Sequence, residues 1–304
     1  MPRKALLVAI AGMVVLAAVT ASSAAATPPG RDGLIAYVSH GSPFSRGYGI
    51  VAVNADGRGL RIITRNYRDR TPSWSPDGTR LVFEREGRLY VIRLNGTGLK
   101  HITPPGFIRA FDPAWSPDGR SIAFVRGRSL WLMRASGGGM RRIFQSVDSL
   151  PDYPSWSPDG KEIAFGLIDD NTDTGSIAVV SSSGGSVRYV TTAGASDYPS
   201  EWDYTADDWQ PDWSPDGTRI LFTRTVWFCG SCDQNEVFSV GAGGGDTQWV
   251  TTDSSFEANR SVWSPSGTRI ASETSGGIAI LTAAGKLVRI LDPLGTAPAW
   301  QSLH

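Results

Sequence analysis

Two cysteines, three histidines and four methionines in 304 residues leave little with which to build a metal centre or an imidazole-based catalytic pair. His40 and His101 are far apart in the chain and His304 is its last residue, so no dyad or ligand set is implied. Charge of one sign is missing as well. The 29 Lys and Arg residues face 29 Asp and Glu, which excludes the basic stripe that nucleic acid calls for. No Gly-x-Ser-x-Gly elbow is present to mark an appended hydrolase. Helical apolar periodicity is absent beyond the first residues, and no apolar run reaches the ~20 residues of a spanning helix.

The longest such run, Ala5 to Val19, follows Arg3 and Lys4 and precedes Ala24-Ala25-Ala26. Charged start, apolar centre and small-residue cleavage site together read as a secretory signal over residues 1–26. Retention of that segment as an anchor is the competing reading. Residues 27–304 are then the exported chain, secreted or held in the periplasm or cell envelope, with no membrane span after cleavage. Losing Arg3 and Lys4 leaves it near minus two, and a monomer is expected.

What the chain has in quantity is one phrase. Trp74-Ser75-Pro76-Asp77-Gly78 returns at Trp115, Trp156 and Trp213, and as Trp263-Ser264-Pro265-Ser266-Gly267, at spacings of 41, 41, 57 and 50 residues. A sixth Trp, Trp300, follows after 37. A period near 40 with short strands is the range of propeller blades. Between Trp74 and Trp115 the unit reads as four strands: the Trp strand, a Pro-Asp-Gly turn, Leu81-Val82-Phe83, Leu89 to Ile92, an Asn95-Gly96 turn, and Ile102-Thr103. Pro presets φ for the turn, Asp bonds back to the backbone, and Gly accepts positive φ. Runs such as Ile122-Ala123-Phe124-Val125 are apolar throughout rather than alternating, so both faces of each sheet should be covered, as in radially stacked blades.

Five full units begin at the five Trp phrases. Residues 33–64 hold three strands without an opening Trp strand, and residues 297–303 hold an opening strand with nothing after it. The expectation is an all-β, six-bladed propeller in which the C-terminal strand completes the N-terminal blade and removes an open edge.

The Pro-Ala-Trp-Ser-Pro-Asp-Gly-x-x-Ile-Ala-Phe pattern of Pro113 to Phe124 resembles the TolB-like propeller repeat, a branch of the WD40-like propellers. The resemblance covers almost all of residues 27–304. It implies a scaffold that binds a protein or peptide partner in the bacterial envelope, without catalysis of its own.

Strand order places the second-to-third and blade-to-blade connections on one face, and all the length variation falls there. The insertions at 40–48, 168–175, 193–210 and 226–235 are expected to form a partner-binding rim over blades one, four and five, with Trp202, Tyr204, Asp207, Asp208, Trp209, Trp227 and Phe228 as its acidic and aromatic set. Packing of these aromatics against each other is the plainer reading. Stacking on sugar rings, making the chain a carbohydrate-binding module, is the alternative use. Asp169-x-Asn171-x-Asp173-x-Gly175 alternates oxygen ligands as a calcium loop does. Its Gly falls one position late and no Glu follows, so a solvated acidic hairpin competes, and no cofactor is otherwise expected. Cys229 and Cys232, in an exported chain, are expected to be bonded to each other. A redox Cys-x-x-Cys would need a following helix and zinc would need further ligands. A metal-dependent hydrolase or lyase is a third functional class. Its site would lie in the central channel, which Asp112, Asp152 and Asp212 enter from the first strands.

Overall fold

The computed structural model describes residues 30–41, 48–106, 109–172, 174–192, 206–227, 233–251 and 257–303. Among them every regular element is a strand, and the strands form six four-stranded antiparallel sheets arranged as the blades of a propeller. Blade 1 runs Arg31–His40, Tyr48–Val53 and Arg61–Ile62, with Gly295–Leu303 as its inner strand. Inner strands of blades 2 to 6 are Asp69–Trp74, Phe111–Trp115, Ser149–Trp156, Ala206–Trp213 and Ala258–Trp263. The closure expected from sequence is present: Gly295–Leu303 pairs antiparallel with Arg31–His40, Ile35 opposite Trp300 and Ala36 opposite Ala299.

Each repeated turn is a small hydrogen-bond unit. In blade 2 the Ser75 hydroxyl donates to Asp77 Oδ1 (2.6 Å), the Thr79 N–H donates to the same oxygen (3.0 Å), and the Gly78 N–H reaches the Ser75 carbonyl (2.8 Å). Burial alone would raise the Asp77 pKa, but the Ser75 and Thr79 hydrogen bonds and the Arg80 charge hold it at about 2. The same contacts recur at Asp118, Asp159 and Asp216. Where Asp is missing, the Ser264 and Ser266 hydroxyls bond each other at 3.0 Å. The turn glycines have φ between 65° and 72°. A Cβ on Gly119, Gly160, Gly217 or Gly267 would meet the turn proline of the preceding blade at 3.2 to 3.7 Å. Five blades thus interlock proline against glycine around one mouth of the channel.

The core is six cores, each between two blades. Val38, Ile50 and Ala52 of blade 1 pack against Leu81 and Phe83 of blade 2, while Ile35, Tyr37 and Val51 face Ala271, Ile278 and Ile280 of blade 6. Alternate residues of one strand therefore serve opposite neighbours, which is why the runs read as continuously apolar. Phe83, Phe124, Phe165 and Phe222 have no exposed surface, each contributing about 1.5–3 kcal/mol of burial.

Candidate functional site

The inner strands do not run straight into the channel. Each slips register ahead of its Trp, between Arg70 and Ser73, Phe111 and Ala114, Asp152 and Ser155, Trp209 and Asp212, and Ala258 and Ser261. In five blades the residue inside the slip precedes proline. These residues, Thr71, Asp112, Tyr153, Gln210 and Ala297, take φ values of 38° to 54°. Steric conflict with the proline ring disfavours the right-handed helical region there, and the bulge re-aims the side chain. Blade 6 breaks the pattern with Arg260-Ser261, which has no proline.

At the Pro-Asp-Gly mouth these strands enclose a funnel of about 320 Å³, walled by the repeat Trp residues and turn prolines and floored by Tyr153, Gln210, Asp212 and Arg260. The Arg260 guanidinium crosses the channel to lie 4.8 Å over the Tyr153 ring. Asp212 accepts from Ser155 Oγ (3.2 Å) and the Trp263 N–H (2.8 Å). Burial pushes Asp212 up to about 7, and burial followed by the Asp112 charge does the same to Asp152. Burial also raises Asp112, against the attraction of Arg260. Arg260 Nη1, Gln210 Oε1 and Asp152 Oδ1 are buried without a hydrogen-bond partner among the described residues.

The indoles divide into two groups. Trp74 Nε1 donates to the Ala299 carbonyl (3.2 Å), Trp115 Nε1 to Gly119 (3.1 Å) and Trp156 Nε1 to Ala114 (3.1 Å). Nε1 of Trp213, Trp263 and Trp300, on the adjoining blades 5, 6 and 1, is buried with no partner among the described residues.

The opposite mouth has a shallower depression over blades 2 and 3, lined by Arg70, Arg88, Arg109, Glu84 and Glu86 and reaching Asp112 and Tyr153. The expected rim lies on this side. Asp207, Asp208 and Trp209 belong not to a loop but to the inner strand Ala206–Trp213, because blade 5 extends its pairing to Ala206 opposite Val226. Asp207 Oδ1 accepts from the Gly175 N–H (3.1 Å). Asp208, expected from sequence on the partner-binding rim, is fully buried and bidentate to Arg224, so it offers no surface to a partner. Trp209 is half-buried. Trp227 ends the second strand, Arg219–Trp227, opposite Asp233.

Trp202, Tyr204, Phe228, Asp173, Cys229 and Cys232 lie outside the described residues, as does the 1–26 segment. Asp169 accepts from the backbone N–H of Asn171 (2.8 Å) and Thr172 (3.2 Å), which lowers its pKa and closes the blade 4 hairpin. Among the described residues no three carboxylate, His or Cys side chains are grouped to hold a metal ion. Of the three channel carboxylates expected from sequence, Asp212 lines the funnel and Asp112 the opposite depression. Sequence reading passed over Tyr153, Gln210 and Arg260. The recurring Xaa-Pro two residues before each Trp, and its loss at Arg260, was the available signal.

The description "TolB beta propeller domain" matches residues 34–202. The chain belongs to the TolB β-propeller family. Over 65 residues it is 34% identical to the Tol-Pal system protein TolB of Zymomonas mobilis, a match spanning 19% of this chain and 14% of that one. A structure assigned to TolB of Agrobacterium tumefaciens superposes with a TM-score of 0.66 at 22% identity, over 89% of this chain and 91% of that one. An oligogalacturonate lyase of Vibrio parahaemolyticus gives 0.57 at 12% identity, over 88% and 80%. At such identities the solved structures share the fold alone, and a TolB-family propeller is what the blades, closure and repeat phrase together describe.

Proposed function

We propose that this TolB-family propeller is a non-catalytic scaffold of the bacterial cell envelope, exported by residues 1–26, that holds an extended segment of a protein partner in the funnel at the Pro-Asp-Gly mouth. The observation that carries this is the funnel itself: a ring of interlocked turns around a cleft whose floor holds buried polar atoms of Gln210 and Arg260 without a hydrogen-bond partner among the described residues. Concave, mostly apolar sites with a few convergent polar groups are the usual form of a binding site. The described histidines serve the fold, His40 bonding Thr296 and His101 bonding Thr103, which supports binding over catalysis. The matched TolB is a Tol-Pal system protein, which supports an envelope setting.

Capture from a native envelope fraction tests the reading. Pro117→Trp with Pro158→Trp crowds the funnel rim at turn positions that accept most residues; Asp207→Lys alters the opposite mouth. Wild type and Asp207→Lys should retain the same proteins and the double Trp variant should lose them, with melting curves confirming folded chains. Loss in Asp207→Lys alone would move the site to the insertion rim. Equal capture by all three would remove the funnel from the function.

A further inference from the structure

The even charge of the whole chain hides a division. Residues 30–147, which make the first three blades save for the uncharged strand Gly295–Leu303, hold 19 Lys and Arg against 8 Asp and Glu. Residues 148–304 hold 8 against 21. A ring split in this way carries a field across itself, and a cleft on the basic side concentrates it. That cleft is the depression of about 660 Å³ over blades 2 and 3, on the mouth opposite the funnel.

Three separate connections supply its arginines. Arg70 stands at the start of the blade 2 inner strand, Arg88 just past the Glu86-Gly87 turn, and Arg109 on the link into blade 3. All three are exposed and line the depression, and their guanidinium groups enter no hydrogen bond or ion pair among the described residues. The Ala110 N–H donates to the Gly87 carbonyl (3.0 Å), which ties the Arg109 link to the Arg88 hairpin. The acids nearby are engaged: Glu86 pairs with Arg68, and Glu84 is buried and accepts from the Gly87 N–H. Burial disfavours the charged form of Glu84, which the Arg70 charge opposes, and of Asp112. Even with both ionised, the three arginines outnumber them. Phe111, 41% exposed, adds an apolar face to the same lining.

We infer that this depression is a second docking site, for an acidic polypeptide segment whose carboxylates pair with Arg70, Arg88 and Arg109 while an apolar side chain covers Phe111. Guanidinium forks match carboxylates in two-point contacts. A concave site suits a segment that enters it rather than a flat anionic bilayer, and a uronate glycan brings carboxylates but no apolar side chain for Phe111. Complementary charge also speeds the encounter with such a segment. The site is independent of the funnel.

The probe is a fluorescein-labelled eight-residue peptide alternating Glu and Leu, with its Gln-Leu counterpart, oligogalacturonate and phosphatidylglycerol vesicles as the other arms. Each is titrated with the full exported chain at low ionic strength. The acidic peptide should bind and weaken as salt is raised, and the Gln-Leu peptide should not bind. Arg70→Gln, Arg88→Gln and Arg109→Gln together should weaken binding by about 10-fold or more, and each alone by about 2- to 5-fold, as exposed charge pairs do. Arg58→Gln, Arg61→Gln and Arg93→Gln, also exposed, remove the same charge elsewhere and should change binding little. Melting curves confirm folded chains, and the single variants decide the matter if the triple one unfolds. No binding of the acidic peptide overturns the inference, as does equal loss in the two triple variants or equal binding of the Gln-Leu peptide. Binding of oligogalacturonate or vesicles through the three arginines, where the peptide fails, overturns it in favour of a glycan or a lipid surface. Sedimentation showing copies of the chain paired through these arginines overturns it in favour of a second copy.

Discussion

The Asp208 carboxylate meets the Arg224 guanidinium at 2.6 and 2.9 Å with neither group measurably in water. The guanidinium lies 5.3 and 5.1 Å over Phe222 and Phe238, which fills its remaining surroundings with aromatic faces. Blade 2 repeats the device at the same positions: Asp69 holds Arg85 at 2.5 and 3.0 Å, above Phe83 and Tyr90. In both blades the Asp stands five residues before the Trp and the Arg two after the Phe. Blade 4 has Pro151 and Leu167 there instead. Removing one member of such a buried pair leaves an uncompensated charge, at about 3–5 kcal/mol, whereas replacing both by apolar residues is often nearly neutral. Asp208→Ala is therefore expected to lower the urea midpoint sharply. Asp208→Pro with Arg224→Leu, copying blade 4, should recover most of the loss. A double variant as unstable as the single one would mean the pair does more than neutralise itself.

At the scale of an element, the strand Gly295–Leu303 turns an open arc into a ring. Its Gln301 is the clasp: Oε1 accepts from the Leu34 N–H at 2.8 Å and Nε2 donates to the Gly78 carbonyl at 2.7 Å, joining blade 1 to the first turn of blade 2. Gln301→Ala strands both backbone groups and should destabilise by about 1–3 kcal/mol, seen as a lowered Tm with the secondary structure unchanged. Ending the chain at Leu294 exposes the whole Arg31–His40 edge and should give aggregation on size-exclusion chromatography rather than a smaller propeller. This closure was legible because strands without an opening Trp at one end and a Trp strand without successors at the other are complementary remainders of one repeat. The blade 5 inner strand was not legible at Asp207 and Asp208. Two consecutive acids look solvated in a linear reading, and the Arg that buries one of them lies 16 residues away in sequence. The floor of the funnel was hidden for a related reason: Tyr153, Gln210 and Arg260 are unlike one another, and only their shared offset from the Trp makes them one ring.

Across the whole molecule, the channel gathers three carboxylates within reach of the Arg260 charge, and burial pushes two of them, Asp152 and Asp212, up to about 7. In the unfolded chain an Asp titrates near 3.9. Between about pH 4 and pH 7 the folded protein therefore holds protons on these groups that the unfolded chain has released. Stability must then fall as pH rises through that window and level off above it, because the slope follows the difference in bound protons. The Pro-Asp-Gly turns act in the other direction and elsewhere on the scale. The Asp77 pKa, held near 2, makes that turn lose stability only as pH drops below about 4. A shallow optimum between the two is expected. Asp152→Asn keeps the shape but removes one of the raised carboxylates, so the fall in urea midpoint between pH 4 and pH 8 should shrink. An unchanged slope in that variant would show that Arg260 keeps Asp152 ionised throughout, and that the channel carries net negative charge at neutral pH.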